Sequence, residues 1–195
     1  MTSEKTASII SIALNPTIIA GFAFLLLVSQ QNIQTSFLLM TICLTFGTLV
    51  PLVMVYQLSR RGIVSDYYVS QKEERAKPFA GAIISYLVGS GVLLLVNAPP
   101  IITAFMLCYA GNTMIMMIIT LRWKISIHAA GIAGPTTGLI YGIGVWAAVF
   151  FTLLVPVGWA RVRLKAHTPL QMLAGGLVTI AATWIQMRIY LFSLH

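Results

Sequence analysis

Four stretches of this chain, at about 7–28, 36–57, 79–97 and 100–121, each run for some twenty residues without one charged side chain. Crossing the hydrocarbon of a bilayer as a helix takes about 20 such residues. In lipid every backbone N–H and C=O must be satisfied within the protein, which a helix achieves by itself. A fifth run, at about 169–192, carries only Arg188. Charged residues make up 8% of the 195 residues, far below the roughly 25% of soluble domains. The expected fold is therefore all-α: a polytopic transmembrane bundle of six to seven spans in one domain, 1–195, with its polar motifs in a core at about 60–192.

The segment from Ala129 to Trp159 decides the topology. It is either one long helix or two short ones hinged at Gly142-Ile143-Gly144. Basic residues concentrate on one side of a membrane, and Gly-x-Gly suits a tight turn. Both favour a hairpin of about 129–141 and 145–160, which places every basic loop on one side. The two halves are then short, and one of them is expected to be partly sunken. The opening MTSEKTASIISIALNPTI has neither a basic leader nor a small-residue cleavage site, so the first run is read as a retained span. Small residues spaced by four (Gly81, Ser85, Gly89; Gly134, Gly138, Gly142) fit close helix packing in lipid. Cys43 and Cys108 lie in apolar runs with neither metal-ligand nor disulfide spacing.

The net charge of +8 comes from short loops, which points to anionic headgroups or a phosphorylated ligand rather than nucleic acid. Three segments hold most of the ionisable residues: SDYYVSQKEERAKPF (65–79), LRWKISIHAAG (121–131) and WARVRLKAHTPLQ (159–171). Each opens a helix. Pro78 suits a first turn, Ser126 can cap the helix containing His128, and Thr168-Pro169-Leu170-Gln171 reads as a capping box. Helix N-termini attract anions, so three of them beside Lys72, Arg75, Lys77, Arg161, His128 and His167 make a phosphate pocket.

These segments resemble the type 2 phosphatidic acid phosphatase superfamily, membrane-embedded lipid phosphatases related to vanadium haloperoxidases. Arg161 and His167 keep that family's Arg-x5-His spacing, Ser126 and His128 its Ser-x-His pair, and Lys77-Pro78 stands where Arg-Pro is expected. The resemblance covers roughly residues 66–176 and is similar to a small bacterial branch. The chain departs from the pattern at Ser70 (family Lys, with Lys72 the nearest substitute), Ile127 (Gly), Ala160 (Ser) and Gln171 (Asp).

What the resemblance implies is a metal-independent phosphatase without a cofactor, acting on a phosphorylated lipid among membrane lipids. His167 would be the nucleophile, forming a phosphohistidine, and His128 the acid and base. Lys72, Arg75, Lys77, Ser126 and Arg161 would bind phosphate, with Asp66 and Gln171 in support. Gln171 brings no charge to stabilise an imidazolium and is read first as a cap. Arg163 and Lys165 are read as headgroup contacts, and Glu73 as the i+4 partner of Lys77. The alternative is a non-catalytic relative that binds anionic lipid or scaffolds a membrane complex. A membrane prenyltransferase would need two Asp-rich segments, and Asp66 is the chain's single aspartate. On the hairpin topology eleven of the twelve Lys+Arg residues, all but Arg188, share the motif side, which predicts a cytoplasmic motif face in a bacterial inner membrane.

Overall fold

The computed structural model describes residues 3–31, 33–65, 69 and 71–194, and all regular structure among them is helical. The helices are α1 (Ser3–Ala13), α2 (Pro16–Val28), α3 (Ile33–Leu44), α4 (Val50–Arg60), α5 (Ala76–Leu95), α6 (Pro100–Thr120), α7 (Ile127–Ile143), α8 (Leu154–Arg163) and α9 (Pro169–Leu194). A π turn, Thr45–Leu49, fuses α3 to α4, and a 3-10 stretch, Val145–Leu153, leads into α8. Five helical stretches are long and apolar enough to cross a membrane, six if the bent α1–α2 pair counts as one span. Phe37, Leu95 and Phe192 are 85%, 83% and 89% exposed, an arrangement that water would penalise and lipid welcomes. On helix length and composition, the chain is an integral membrane protein.

The sequence explains where the helices bend. The first apolar run does not form one helix: it turns by 43° between α1 and α2. Pro16 has no N–H to continue the α1 ladder, and Asn15 caps α2 by accepting from Thr17 N at 2.9 Å. The second run stays continuous but slips register before Pro51. Val50 N–H bonds Thr45 O instead of Phe46 O, and Ser85 Oγ of α5 donates to the freed Phe46 carbonyl at 2.7 Å. Pro-linked π turns of this kind are a recognised cause of helix distortion.

The hairpin forms where Gly-x-Gly stands. Helix α7 ends at Ile143, and Gly144 takes φ +96°, a conformation that glycine adopts without a Cβ penalty. The returning limb is longer than the half-length expected of it, running from Val145 to Arg163. Its first nine residues are 3-10, which rises about 2.0 Å per residue. With α8 the limb spans about 33 Å, enough for the hydrocarbon layer. Helix α7 is the most enclosed element, buried from His128 to Leu139 apart from half-buried Gly131, and it packs against α2, α6, α8 and α9.

Candidate functional site

The three polar segments meet at one end of the bundle, tied by hydrogen bonds between loops. Ser126 N–H donates to Gln171 O at 3.2 Å. Arg75 reaches across with Nε on Val69 O at 3.0 Å and Nη1 on Ile125 O at 3.1 Å. At the entrance to α9, Gln171 Oε1 accepts from Thr168 N at 3.1 Å while Gln171 N donates to Thr168 Oγ1 at 3.3 Å. That is the expected capping box. Ser126 Oγ caps α7 through Ala129 N at 3.3 Å. Gly175, nearly two turns into α9, lies so close to α7 that a Cβ there would stand 2.5 Å from the Ser126 carbonyl oxygen. Only a glycine allows this approach.

The Arg-x5-His spacing has a backbone cause. Helix α8 closes with Lys165 N–H on Val162 O (2.9 Å) and Ala166 N–H on Arg161 O (3.0 Å), the paired bonds of a Schellman motif. Lys165 takes the left-handed position at φ +51°. His167 N–H adds a second bond to the Arg161 carbonyl at 3.3 Å. The chain thus folds back on Arg161 and returns His167 to the same cavity.

That cavity, of about 200 Å³, is lined at its polar end by Arg75, His128, Arg161 and His167. All four are buried, with exposures of 2%, 5%, 6% and 6%. From there it runs into the bundle between α2, α5, α6 and α7, past Met116 and Asn112 to Tyr109 and Phe105. On α6 that path covers twelve residues, a rise of about 16 Å. A cationic head continues into a mostly apolar bore.

His167 Nδ1 lies 3.2 Å from Gln171 Oε1. Because the same Oε1 already accepts from the Thr168 N–H, it is the amide oxygen that faces the ring, and Nδ1 is the donor. Nε2 therefore holds the lone pair. Burial, with the Arg161 guanidinium second, lowers the His167 pKa from 6.5 to about 4, against a smaller opposing pull from Gln171. The ring is neutral at pH 7. Gln171 is thus both the cap of α9 and the residue that orients His167.

Sequence reasoning missed Ser11. Placed by the bend at Asn15-Pro16, it is 3% exposed, accepts from Arg161 Nη1 at 2.9 Å and stands 3.5 Å from His128 Nε2. Only the Asn-Pro break in the first run marked the geometry that carries it there.

Two members of the expected phosphate set stand elsewhere. Lys77 is exposed on the first turn of α5, and Lys72 lines a shallow surface bowl with Arg122, Trp123 and Lys124. Arg75, not Lys77, enters the cavity. Ser126 is fully buried with its hydroxyl on the α7 cap, and Asp66 lies outside the described residues. Glu73 pairs with Lys72 at 3.9 Å rather than with Lys77, because it sits in a 3-10 turn ahead of α5 and the i+4 register is broken. Glu74 accepts from the Ser65 N and Oγ at 2.8 and 2.9 Å. Among the described residues no carboxylate lines the cavity. Among the described residues no three His, Cys, Asp or Glu side chains gather as a metal site would require. Compared with protein-family models, curated proteins and solved structures, the chain matches none.

Proposed function

We propose that the chain is a membrane-embedded lipid phosphate phosphatase working through a phosphohistidine, in the manner of the type 2 phosphatidic acid phosphatases. The observation that carries this reading is the convergence of two arginines and two histidines, from three separate segments, at the head of an apolar bore. An amphiphile with a phosphate head and a hydrocarbon body matches both ends.

His167 Nε2 attacks phosphorus as the bond to the lipid oxygen breaks. His128, which takes up a proton as the anionic phosphate enters, passes it to that leaving oxygen, then takes one from the water that cleaves the phosphohistidine and releases inorganic phosphate. Dividing one displacement into two easier ones is the gain of covalent catalysis. Arg161 and Arg75 neutralise the phosphoryl oxygens, and such placed charge supplies most of the acceleration in phosphoryl transfer. Ser11, held by Arg161 beside His128, positions both.

The test is phosphate release from a panel of lipid phosphates by the purified protein in EDTA. Release that vanadate inhibits is expected; release that requires a divalent metal would contradict the mechanism. One observation favours a second reading, an anionic-lipid binder without turnover: Gln171 offers His167 an uncharged oxygen where an aspartate would stabilise the imidazolium. Tight binding of the same lipids with no phosphate released would select it. The motif face is assigned to the cytoplasmic side of a bacterial inner membrane, because eleven of twelve cations belong to it. A reporter fused near Ser65 that reads periplasmic overturns that orientation.

A further inference from the structure

Gln171 belongs to two surfaces at once. Inward, its amide oxygen faces His167 Nδ1 at 3.2 Å. Outward, the residue lines the open surface bowl that also holds Lys72, Glu73, Arg122, Trp123 and Lys124. Most of its polar atoms are already engaged. Oε1 also accepts from Thr168 N at 3.1 Å, the backbone N–H donates to Thr168 Oγ1 at 3.3 Å, and the backbone carbonyl accepts from Ser126 N at 3.2 Å. What Gln171 has to offer the bowl is therefore its Nε2, with two N–H groups that donate to nothing among the described residues.

The bowl suits an anion. Lys72, Arg122 and Lys124 stand against the single carboxylate of Glu73, which lies 3.9 Å from Lys72 Nζ. Arg122 is exposed, Trp123 is 38% exposed and Lys124 is half-buried. Backbone N–H bonds from Arg122 and Trp123 to Ile119 O, at 3.1 and 2.9 Å, fix the turn that carries them. Lys124 is near enough to His167 for its charge to weigh against a proton on the ring. The field of the bowl thus reaches the nucleophile.

Once His167 Nε2 carries a phosphoryl group, the ring is an imidazolium with its remaining proton on Nδ1. That positive charge is stabilised by a negative partner, and Gln171 has no charge of its own. An anion that accepts from Gln171 Nε2 polarises the amide and strengthens its oxygen as an acceptor. The same anion offsets Lys124. Both effects favour the cationic ring.

We propose that the bowl is a regulatory anion site: a phosphate-type oxyanion held by Arg122, Lys124 and Gln171 Nε2 supplies, through the Gln171 amide, the negative charge that the His167 imidazolium lacks. The proposal rests on the reading of His167 as the nucleophile. The diester headgroup of a neighbouring anionic lipid and a soluble phosphate share the tetrahedral, acceptor-rich chemistry that the bowl recognises. Lys72 contributes least, because Glu73 already engages it.

The experiment titrates the full chain in neutral micelles with sodium sulfate, standing in for soluble phosphate, and separately with phosphatidylglycerol. Sodium chloride at equal ionic strength is the control. Trp123 fluorescence, isolated by difference from Trp123→Phe, reports occupancy, and kcat at saturating lipid phosphate reports coupling. Competition at the catalytic head raises KM and leaves kcat alone, so a rise in kcat belongs to the bowl. It is expected to reach about tenfold, the scale of a unit charge acting across one amide near a solvated surface, with the midpoint of the fluorescence change. Whichever probe acts at the lower concentration names the source. Arg122→Ala should move both midpoints upward by about tenfold. Gln171→Glu preserves the capping box and brings its own charge, so its kcat without anion should match that of the anion-saturated wild type and should not respond to either probe.

A wild-type kcat that stays flat under both probes overturns the proposal. So does a Gln171→Glu protein of unaltered melting temperature that is no faster than the anion-free wild type. Coupling also has a readout without turnover: the ring ¹⁵N signals of His167, assigned through His167→Gln, should shift as either anion fills the bowl. If those signals and Trp123 respond while no lipid phosphate is hydrolysed, the anion site stands and the phosphatase fails. If phosphate is released at a rate that no anion alters, the phosphatase stands and the anion site fails.

Discussion

Arg75 and Lys77 are two residues apart and carry the same charge, yet they occupy different worlds. Arg75 is 2% exposed, bonded to two loop carbonyls and directed into the cavity, whereas Lys77 is exposed on the surface of α5. The pattern repeats on α8, where Arg161 is buried against Ser11 and Arg163 reaches exposed Ser3 at 2.8 Å. The motif end thus has a buried guanidinium cluster and a solvated basic rim. A guanidinium stays charged under burial and offers five donors, while a lysine ammonium is strongly hydrated and readily loses its proton when buried. The cluster is where chemistry can happen. The rim lies exposed at the surface, where a hydrated ammonium is at home.

Substitutions can break that contrast. The largest effect is expected from the cluster: His167→Ala should abolish phosphate release, and Arg161→Ala should lower it by about 10²–10³, whereas Lys77→Ala and Lys72→Ala should change it by less than about threefold. Rates that fall equally for the rim lysines would dissolve the distinction.

A second pair probes geometry without touching charge. Gly175→Ala sets a methyl against the Ser126 carbonyl, prying α9 from the start of α7, and a displacement of an ångström can cost about a hundredfold in rate. At neighbouring Gly176 a Cβ meets nothing within 4 Å, so Gly176→Ala should keep activity and gain slightly in stability. Circular dichroism melts beside rates separate the two outcomes, and equal activity of both variants would count against the close contact.

A third sharpens the electrostatics. His167 is held neutral, with its pKa lowered to about 4 from 6.5. Between those values the unfolded chain binds a proton that the folded one refuses, so stability rises with pH across this window. The contribution is complete above about pH 6.5 and lost as pH falls to 4. Melting temperatures across that range should drop less for His167→Gln than for the wild type. An identical slope would mean that His167 is not the group responsible.

The smallest expected effect lies at the rim. Lys165 holds a left-handed conformation that costs a non-glycine residue about 1 kcal/mol, so Lys165→Gly should stabilise the protein by that order, measured as a small rise in melting temperature, with activity unchanged.

How much of this was legible in the sequence follows from range. Local signals were readable: the Ser126 cap, the Thr168–Gln171 box and the Gly144 reversal each depend on residues within one turn. The Arg161–His167 spacing could be read as a pattern, although its cause, the Schellman closure, is a backbone fact. Ser11 was invisible because it lies 150 residues from its partner Arg161, and only the 43° bend brings it there. The choice of Arg75 over Lys77 was equally hidden. Both sit in one basic run, and which one turns inward depends on Val69 and Ile125 offering their carbonyls. The length of the returning limb was misjudged because nothing in its apolar composition distinguishes a 3-10 rise from an α one.

The central claim is that the buried cluster is one phosphoryl-transfer site with His167 as its nucleophile. Rapid acid-free quenching of the protein with a ³²P-labelled lipid phosphate in EDTA tests it directly. The expected result is an acid-labile, base-stable label that maps to His167, is lost in His167→Ala and persists in Lys77→Ala. A label on another residue, or phosphate release from a protein in which His167→Ala remains active, would contradict it.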